Sequence, residues 1–217
     1  MLKYTANENA MSLFVSGVTA EGKKATEITV PSEHAKLRVT KIDSFAFAYR
    51  GKLSKVDISE GVMHINPNAF SECKSLLSVK LPETLKTLGA EAFSFCKNLR
   101  EIYIPDGVTQ ILKGTFFSCA ALELAVLGDG VISIGKDAFW CCKKLKTVSL
   151  PVSVKHIEKG AFYECVSLSD VYYGGDEDDW RRIKIEGSNE RLFGAKIHFL
   201  SKYRAADFDE SYNTKDV

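Results

Sequence analysis

The sequence lacks the features that mark membrane-inserted, nucleic-acid-binding and secreted chains. No apolar run approaches the roughly 18 residues of a membrane-spanning helix. The 29 Lys and Arg residues are balanced by 28 Asp and Glu residues, which argues against a dedicated nucleic-acid-binding protein. The N-terminal residues include no apolar core of the roughly 7–15 residues found in secretory signals. We therefore expect no membrane insertion and no nucleic-acid partner. The expected location is cytoplasmic, or the cell surface or exterior if a signal lies outside this sequence.

Motifs of catalytic and metal sites are also missing. Neither H-E-x-x-H nor G-x-S-x-G occurs, and no C-x-x-C pair is present. Catalysis needs titratable side chains that converge in a pocket and have perturbed pKa values, and no motif in the sequence indicates such side chains. We expect no catalytic residues, no metal and no cofactor, so the chain is not predicted to be an enzyme.

What the sequence does contain is a 23-residue repeat. Its clearest markers are five of the six cysteines and a row of phenylalanines. They are Cys73, Cys96, Cys119, Cys142 and Cys165, and Phe47, Phe70, Phe93, Phe116, Phe139 and Phe162. The unit reads L-x-x-V-x-L-P-x-x-V-x-x-I-x-x-x-A-F-x-x-C-x-x, with five full copies over residues 53–167. A looser copy precedes them, and a degenerate copy follows.

The repeat predicts a solenoid. Alternation at V-x-L is typical of a short strand with one buried face. A unit of this size cannot bury its apolar side alone, so units stack about 4.8 Å apart. The A-F-x-x-C segment is too short for an independent helix and predicts a helical or 3-10 turn on the opposite wall. The expected fold is an α/β solenoid of about six to seven turns, with a curved parallel sheet on the concave face and short turns on the convex face.

The unit resembles the leucine-rich repeat, and more narrowly its bacterial surface-antigen (BspA-like) type, which has 23-residue repeats with L-P…I-x-x-x-A-F-x-x-C. The asparagine or cysteine that follows the strand in commoner leucine-rich repeats is absent, and Pro or Gly mostly takes that place. The resemblance implies a leucine-rich repeat solenoid. It also implies surface-displayed adhesion or recognition of a host matrix.

Four segments are expected. An N-terminal cap of short antiparallel strands occupies 1–24, and the solenoid occupies 25–167. A degenerate last repeat and C-terminal cap occupy 168–200, followed by a polar tail at 201–217. The acidic run from Asp176 to Asp179 predicts a helix start. Apolar candidates to close the core at this end are Ile183, Ile185, Leu192, Phe193, Ile197, Phe199 and Leu200.

The cysteine row has two interpretations. It could be a disulfide framework, but stacked equivalents would be about 5 Å apart, whereas bridged Cβ atoms are about 3.8 Å apart. We therefore expect buried thiols that act as small apolar groups. Cys141 is the exception, because its repeat position holds Glu72 or Ser118 in other units. We expect it nearer the surface, where it could react.

Two further motifs are interpreted as parts of the repeat. His64 and His156 share a unit position but lie four rungs apart, roughly 19 Å, too far to share a metal. The string from Gly130 to Lys136 imitates a phosphate-binding loop, but it continues with Asp137 where Ser or Thr should hold Mg²⁺. Neither motif predicts a ligand.

Residues that alternate with the buried strand positions face outward from the concave sheet. Most are polar, but Tyr103, Leu124 and Val126 are neighbours there. Exposed apolar groups that cluster often mark an interaction site. The predicted binding patch comprises Glu101, Tyr103, Leu124, Val126, Thr147, Ser149, Asp170 and Tyr172. Its expected partner is another protein or peptide. The alternative is that β propensity alone selected these residues.

Aromatic residues also recur on the convex wall, directly after the repeat phenylalanine. Phe117, Trp140 and Tyr163 fall on successive rungs, with Phe95 nearby, and should stack about 5 Å apart. They either shield the wall or form a self-association surface for a homo-oligomer. A basic file on the same wall comprises Lys113, Lys136 and Lys159. It is interpreted as a solvated surface, with an anionic polymer partner as the alternative.

The sequence therefore predicts a non-catalytic protein-binding module that acts through the concave sheet face. The alternative is a structural module that assembles through its aromatic convex surface.

Overall fold

Stacked parallel strands dominate residues 1–201, the part of the chain that the computed structural model describes. The polar tail expected at 201–217 lies outside this part from residue 202 onward. In chain order the strands are β1 (Leu2–Ala6), β2 (Ser12–Val18), β3 (Glu27–Val30), β4 (Glu33–His34), β5 (Leu37–Ile42), β6 (Lys55–Ile58), β7 (His64–Ile65), β8 (Ser78–Lys80), β9 (Thr87–Leu88), β10 (Glu101–Ile104), β11 (Gln110–Ile111), β12 (Leu124–Leu127), β13 (Ser133–Ile134), β14 (Thr147–Leu150), β15 (His156–Ile157), β16 (Asp170–Tyr173), β17 (Lys184–Ile185) and β18 (Lys196–His198). The helices are α1 (Glu177–Arg181) and α2 (Glu190–Gly194), with a 3-10 turn at Gly22–Lys24.

The first strand of each unit builds what we call the main sheet. Its two hydrogen-bonded stretches are β3-β6-β8 and β10-β12-β14-β16-β18, and β8 also contacts β10. Parallel partners in the full repeats are separated by one complete unit of sequence, so that Tyr103 pairs with Val126 and Leu124 with Thr147. Like positions therefore stack on like positions, and the expected solenoid is confirmed.

A second sheet, which the sequence pattern did not single out, forms where the V-x-x-I part of each unit turns the corner. Its strands are only two residues long in the full repeats, and they run β7-β9 and β11-β13-β15-β17. In the full repeats the isoleucine or leucine of each of these strands is buried, as at Ile65 and Ile111. Such short strands hold only because the neighbouring rung supplies their hydrogen-bond partners.

The A-F-x-x-C segments form the third wall and consist of consecutive turns rather than helices. Within a rung, the Cys73 N–H donates to the Phe70 carbonyl at 3.2 Å, while the Phe70 N–H donates to Ala92 of the next rung at 2.8 Å. In each full repeat, two positions of this wall have positive φ. They are Asn68, Glu72, Glu91, Phe95, Gly114, Ser118, Asp137, Cys141, Gly160 and Glu164. Residues with left-handed backbone conformation interrupt a helix. Some N–H groups of this wall therefore donate to carbonyls of the next rung instead of carbonyls of their own turn.

The repeat phenylalanines form a continuous column of rings at the centre of the solenoid. Neighbouring ring centroids lie 4.9 to 5.7 Å apart from Phe47 to Phe162, and their planes are within 13° of parallel. All six rings are fully buried. Stacked aromatic pairs are stabilised beyond the burial of their surface, so each rung fixes the position of the next.

The five repeat cysteines form a second column beside the phenylalanines, and all are free thiols. Each thiol donates to the phenylalanine carbonyl of the preceding rung, as Cys119 does to Phe93 at 3.2 Å and Cys142 to Phe116 at 3.2 Å. Burial raises the pKa of Cys119 to about 12, which keeps this thiol protonated and able to donate. The expectation of buried thiols is confirmed. Cys141 is partly exposed.

The N-terminal residues extend the second sheet. β1 pairs antiparallel with β2, and β2 pairs in parallel with β5 of the first unit. The extra residues of that unit form a hairpin in which β4 pairs antiparallel with β5. Ala35 and Lys36 have positive φ at its tip, as a tight two-residue hairpin turn requires.

The C-terminal residues close the other end of the stack. The expected helix start is confirmed, since the Asp176 carboxylate accepts the Asp179 N–H at 2.8 Å. Strand β17 pairs with β15, and β18 pairs with β16. The buried Asn189 side chain accepts the Phe162 N–H at 2.9 Å and donates to the Glu158 carbonyl at 2.9 Å. One side chain thus satisfies backbone groups that a further rung would otherwise satisfy.

Two of the residues expected to close the core do not do so. Ile183 and Leu192 are buried, but Phe193 is 66% exposed and Leu200 is 77% exposed. Helix α2 is short and presents one face to the last rung, which Leu192 occupies. The adjacent Phe193 therefore points away. Partly buried residues that pack on the core here are Ile185, Ile197 and Phe199.

Removing one thiol of the column should destabilise the fold. We expect Cys119→Ala to lower the free energy of unfolding by about 1–2 kcal/mol, because it deletes a buried hydrogen bond and leaves a small void. The matched change Cys141→Ala, outside the column, should alter it by less than about 0.5 kcal/mol. Urea unfolding followed by far-UV circular dichroism measures both. Equal effects of the two substitutions would contradict a structural role for the column.

Acid should loosen the C-terminal residues. The hydrogen bond from His156 lowers the pKa of Glu186, and that from His198 lowers the pKa of Asp170. Because both carboxylates favour the charged form when folded, their contribution is complete above about pH 5 and is lost as the pH falls further. Hydrogen exchange of residues 183–198 should therefore accelerate on acidification beyond its intrinsic pH dependence.

A double variant tests this assignment. Glu186→Gln with Asp170→Asn should show faster exchange already at neutral pH and little additional effect of acid. Glu177→Gln, on the exposed surface of α1, serves as the control for loss of a carboxylate. A double variant with unchanged acid sensitivity would show that other groups hold this end.

Candidate functional site

The outer face of the main sheet consists of two rows of side chains that alternate with the core positions. One row is Glu27, Lys55, Ser78, Glu101, Leu124, Thr147, Asp170 and Lys196. The other is Thr29, Asp57, Lys80, Tyr103, Val126, Ser149, Tyr172 and His198. The register places all eight residues of the predicted binding patch on four adjacent rungs.

Exposure differs within the patch. Tyr103, Leu124 and Tyr172 are half-buried, whereas Val126 is only 2% exposed and Ser149 only 3% exposed. Val126 lies outside the hydrophobic core cluster, so it is covered on the outer side of the sheet. The expectation that Val126 is exposed is wrong. Val126 and Ser149 are small side chains in a row that carries tyrosines on both sides, and they form the floor between them.

The C-terminal end of the face includes a residue that the repeat pattern did not reveal. The Tyr172 ring stacks on His198 with centroids 4.4 Å apart and planes within 7°. The His198 Nε2 lies 2.8 Å from the Asp170 carboxylate, which also accepts from the Ser169 hydroxyl at 2.7 Å. The step along the chain from Tyr172 to His198 is longer than the repeat interval, so the repeat spacing could not have identified this histidine.

A row of carboxylates borders the same face, at the corner that follows the main-sheet strands. We call Glu60, Glu83, Asp106 and Asp129 the acidic rim; all four are exposed and recur at the 23-residue interval. Glu60 accepts the backbone N–H of Glu83 at 3.0 Å, and Asp106 accepts that of Asp129 at 2.7 Å. The acidic rim was missed although its regular spacing was visible in the sequence.

The acidic rim acts electrostatically on the face. Partial burial raises the pKa of Tyr103, and the charges of Glu83, Asp106 and Asp129 raise it further. Burial also raises the pKa of Glu83, with smaller contributions from Asp106 and Glu60. On the far side of the patch, burial and then the Glu123 charge raise the pKa of Glu101, although Arg100 opposes them. Tyr103 therefore lies in a region of negative potential.

The aromatic residues of the turn wall lie on successive rungs as expected, but only Phe117 and Trp140 are stacked, and the Phe95–Phe117 and Trp140–Tyr163 pairs are tilted by 58° and 49°. Ring centroids lie 5.4 Å apart for Phe95 and Phe117, 5.9 Å for Phe117 and Trp140, and 4.6 Å for Trp140 and Tyr163. Tyr163 is 37% exposed and the other three rings are half-buried. The four rings form one continuous aromatic strip, which we call the convex strip.

Within residues 1–201 no group of three or more His, Cys, Asp or Glu side chains converges on a metal-sized site. His64 bonds Thr87 at 2.9 Å, and His156 bonds Glu186 at 2.9 Å. No helix of this part of the chain is long and apolar enough to cross a membrane.

The string that imitates a phosphate-binding loop is part of the stack. Val131 and Ile134 are fully buried within it. Gly130 lies so close to the Asp106 carbonyl that any Cβ would clash. This glycine is required by the contact between rungs, and the interpretation of the string as repeat is confirmed.

An open groove of about 460 Å³ lies beside β5, β7 and β9. It is lined by Arg38, Thr40, Gly61, Met63, Glu83, Thr84 and Lys86. The lining carries charges of both signs but no pairing of a nucleophile with a base. Its edge at Glu83 joins the groove to the acidic rim.

Comparison with solved structures finds the same fold in bacterial leucine-rich repeat proteins. The T. pallidum leucine-rich repeat protein TpLRR is 25% identical, with a TM-score of 0.74 over 93% of this chain and 97% of that one. A leucine-rich repeat protein from Eubacterium ventriosum is 25% identical, with a TM-score of 0.71 over 93% of this chain and 51% of that one. A leucine-rich cell surface protein from Faecalibacterium prausnitzii is 22% identical, with a TM-score of 0.59 over 83% of this chain and 40% of that one.

The chain thus spans almost all of the T. pallidum protein and about half or less of the other two. No curated protein matches it significantly. The family model described as the BspA type leucine-rich repeat region matches residues 40–169 with six copies, which is more than half of the chain. Together with the stacked rungs, the phenylalanine column and the thiol column, this match shows that the chain belongs to the BspA-type leucine-rich repeat family.

Proposed function

We propose that this chain is a non-catalytic recognition module that binds another protein or peptide on the outer face of its main sheet. The observation that carries the proposal is the grouping of half-buried Tyr103, Leu124 and Tyr172 on four adjacent rungs. Tyrosine is enriched among the residues that dominate binding energy at protein interfaces.

The ordered backbone and the buried side chains beneath Tyr103, Leu124 and Tyr172 favour binding. The backbone of each rung is hydrogen-bonded to the next in register, and Val126 and Ser149 fill the floor between the tyrosines. A face that is already ordered loses little conformational entropy when a partner docks. Thr147 and Glu101 place polar groups beside the apolar ones, as interface rims require.

Adhesion at a cell surface is the form of recognition that we propose within this function. The support comes from membership of the BspA-type family. The Faecalibacterium prausnitzii protein described as a cell surface protein shares the fold.

A second candidate function is self-assembly through the convex strip. The observation that favours it is four contiguous aromatic rings on successive rungs, with Tyr163 the most open. Aromatic surface of this extent is enriched at interfaces. Partly exposed Cys141 lies within the same stretch of the wall.

Peptides selected on the wild-type protein from a random phage-displayed library test the face. We expect Tyr103→Ala with Leu124→Ser to weaken their binding by at least about tenfold, because the variant removes the apolar anchors. The matched control is Tyr49→Ala with Leu112→Ser, two exposed residues away from the main sheet. Fluorescence anisotropy of the labelled peptides gives the dissociation constants.

The control variant should bind like the wild type. If the selected peptides keep full affinity for the face variant, the main sheet is not the binding surface and the proposed function is wrong.

Sedimentation equilibrium tests assembly through the convex strip. If this strip joins copies of the chain, Trp140→Ser should weaken association by at least about tenfold, since a central aromatic contact is lost. Tyr49→Ser is the control for loss of an exposed aromatic residue. An average mass that does not change with concentration in the wild type would remove this candidate.

A further inference from the structure

The acidic rim places one carboxylate on each of four successive rungs. Rungs repeat about every 4.8 Å, so Glu60, Glu83, Asp106 and Asp129 form a line of like charges along the stack. Among the ion pairs within residues 1–201, none involves Glu60, Glu83 or Asp106. These charges repel one another: after burial, the neighbouring charges of Asp106 and Glu60 are what raise the pKa of Glu83.

The fold does not require charge at this position. The next rung carries Val152 at the equivalent place, and its strand β14 pairs with β12 and β16 without a carboxylate there. Where the rim accepts backbone N–H groups, the amide oxygen of Asn or Gln can also accept them. The stack therefore does not depend on a negative charge at this position.

The acidic rim adjoins the proposed binding face. Tyr103 lies within range of the Glu83, Asp106 and Asp129 charges, and Glu101 and Glu123 lie on its other side. The apolar anchors are thus bordered by carboxylates on both sides. Among the nearby cations, Arg100 acts on Glu101, and Lys146 pairs with Glu123 at 3.6 Å. Lys80 lies one rung from Tyr103, and Lys86 lines the groove beside Glu83. Neither lysine forms an ion pair with Glu60, Glu83 or Asp106.

We infer that the partner of this face is an extended segment of another protein that carries Lys or Arg residues next to an apolar or aromatic side chain. The apolar side chain packs against Tyr103 and Leu124, while the cations lie along the acidic rim. An extended chain places alternate side chains about 6.6 Å apart, and long Lys and Arg side chains reach rungs spaced at about 4.8 Å. Charge complementarity of this kind gives selectivity for the partner. The inference rests on the proposed function and names the chemistry of its ligand.

Two synthetic probes test the inference on the full chain. One is a fluorescein-labelled heptapeptide of alternating lysine and tyrosine, and the other has glutamate in place of each lysine. We expect the lysine peptide to bind and to weaken as salt rises, and the glutamate peptide not to bind. Glu83→Gln with Asp106→Asn should weaken the lysine peptide about three- to tenfold, since two charges are removed and the backbone acceptors are kept.

The matched control is Glu91→Gln with Glu164→Gln, which makes the same change of charge on the turn wall. This control should bind the lysine peptide like the wild type. Equal affinity of the rim variant and the wild type overturns the inference, as does equal binding of the two peptides. A rim variant that instead lowers the mass of a self-associated wild type would show that a second copy is the partner, and also overturns it.

The peptides selected from the phage library separate this inference from the proposed function. If they lose affinity for the face variant but not for the rim variant, the face binds peptides and only the inferred charge preference is wrong. If they keep affinity for the face variant, the proposed function fails whatever the rim variant does.

Discussion

The structure depends on hydrogen bonding between successive rungs at one fixed interval along the chain. Strands in both sheets and turns in the third wall find partners one rung away, as Phe93 N–H does on Thr115 and Leu124 does opposite Thr147. Strands as short as β11 could not persist alone. They persist because each is added to a neighbour that already exists. The side-chain columns of the core and the outward rows follow from this register.

One consequence is that identical side chains stack on one another. This stacking stabilises the structure for some side-chain types and destabilises it for others. Phenylalanine rings gain from stacking. Thiols pair with carbonyls of the preceding rung, and the buried hydroxyls of Ser71 and Ser94 bond each other at 2.8 Å. Carboxylates at the same position repel. A column of charge is therefore tolerated only at exposed corners, and there it creates a potential stronger than any single residue could.

The same register explains which parts of the structure could be predicted from the sequence. The contacts of repeating positions, such as Phe116 and Cys119, were predictable because the residue one repeat away occupies the same place on the next rung. The second sheet was missed because two-residue strands leave no alternation to detect. The turn wall was expected to consist of helical or 3-10 turns, but its left-handed positions were not foreseen, because residues such as Glu72 and Cys141 carry no signal for positive φ. At the candidate site, the rows were predictable but the cover over Val126 depends on neighbouring side-chain size, and His198 lies off the period.

Separation of stability from recognition is the last consequence. The core positions and backbone hydrogen bonds hold most rungs together without help from the outward rows, and the Asp170–His198 pair at the C-terminal end is an exception. Those rows are thus free to differ from rung to rung, and they do: lysine and aspartate occupy the N-terminal rungs, while tyrosine and leucine occupy the middle. In a repeat with a uniform core, the residues that distinguish one rung from another lie on the outward face. The acidic rim carries a carboxylate on four successive rungs although it faces solvent, and this departure from the variable pattern is our reason for connecting it with the proposed binding.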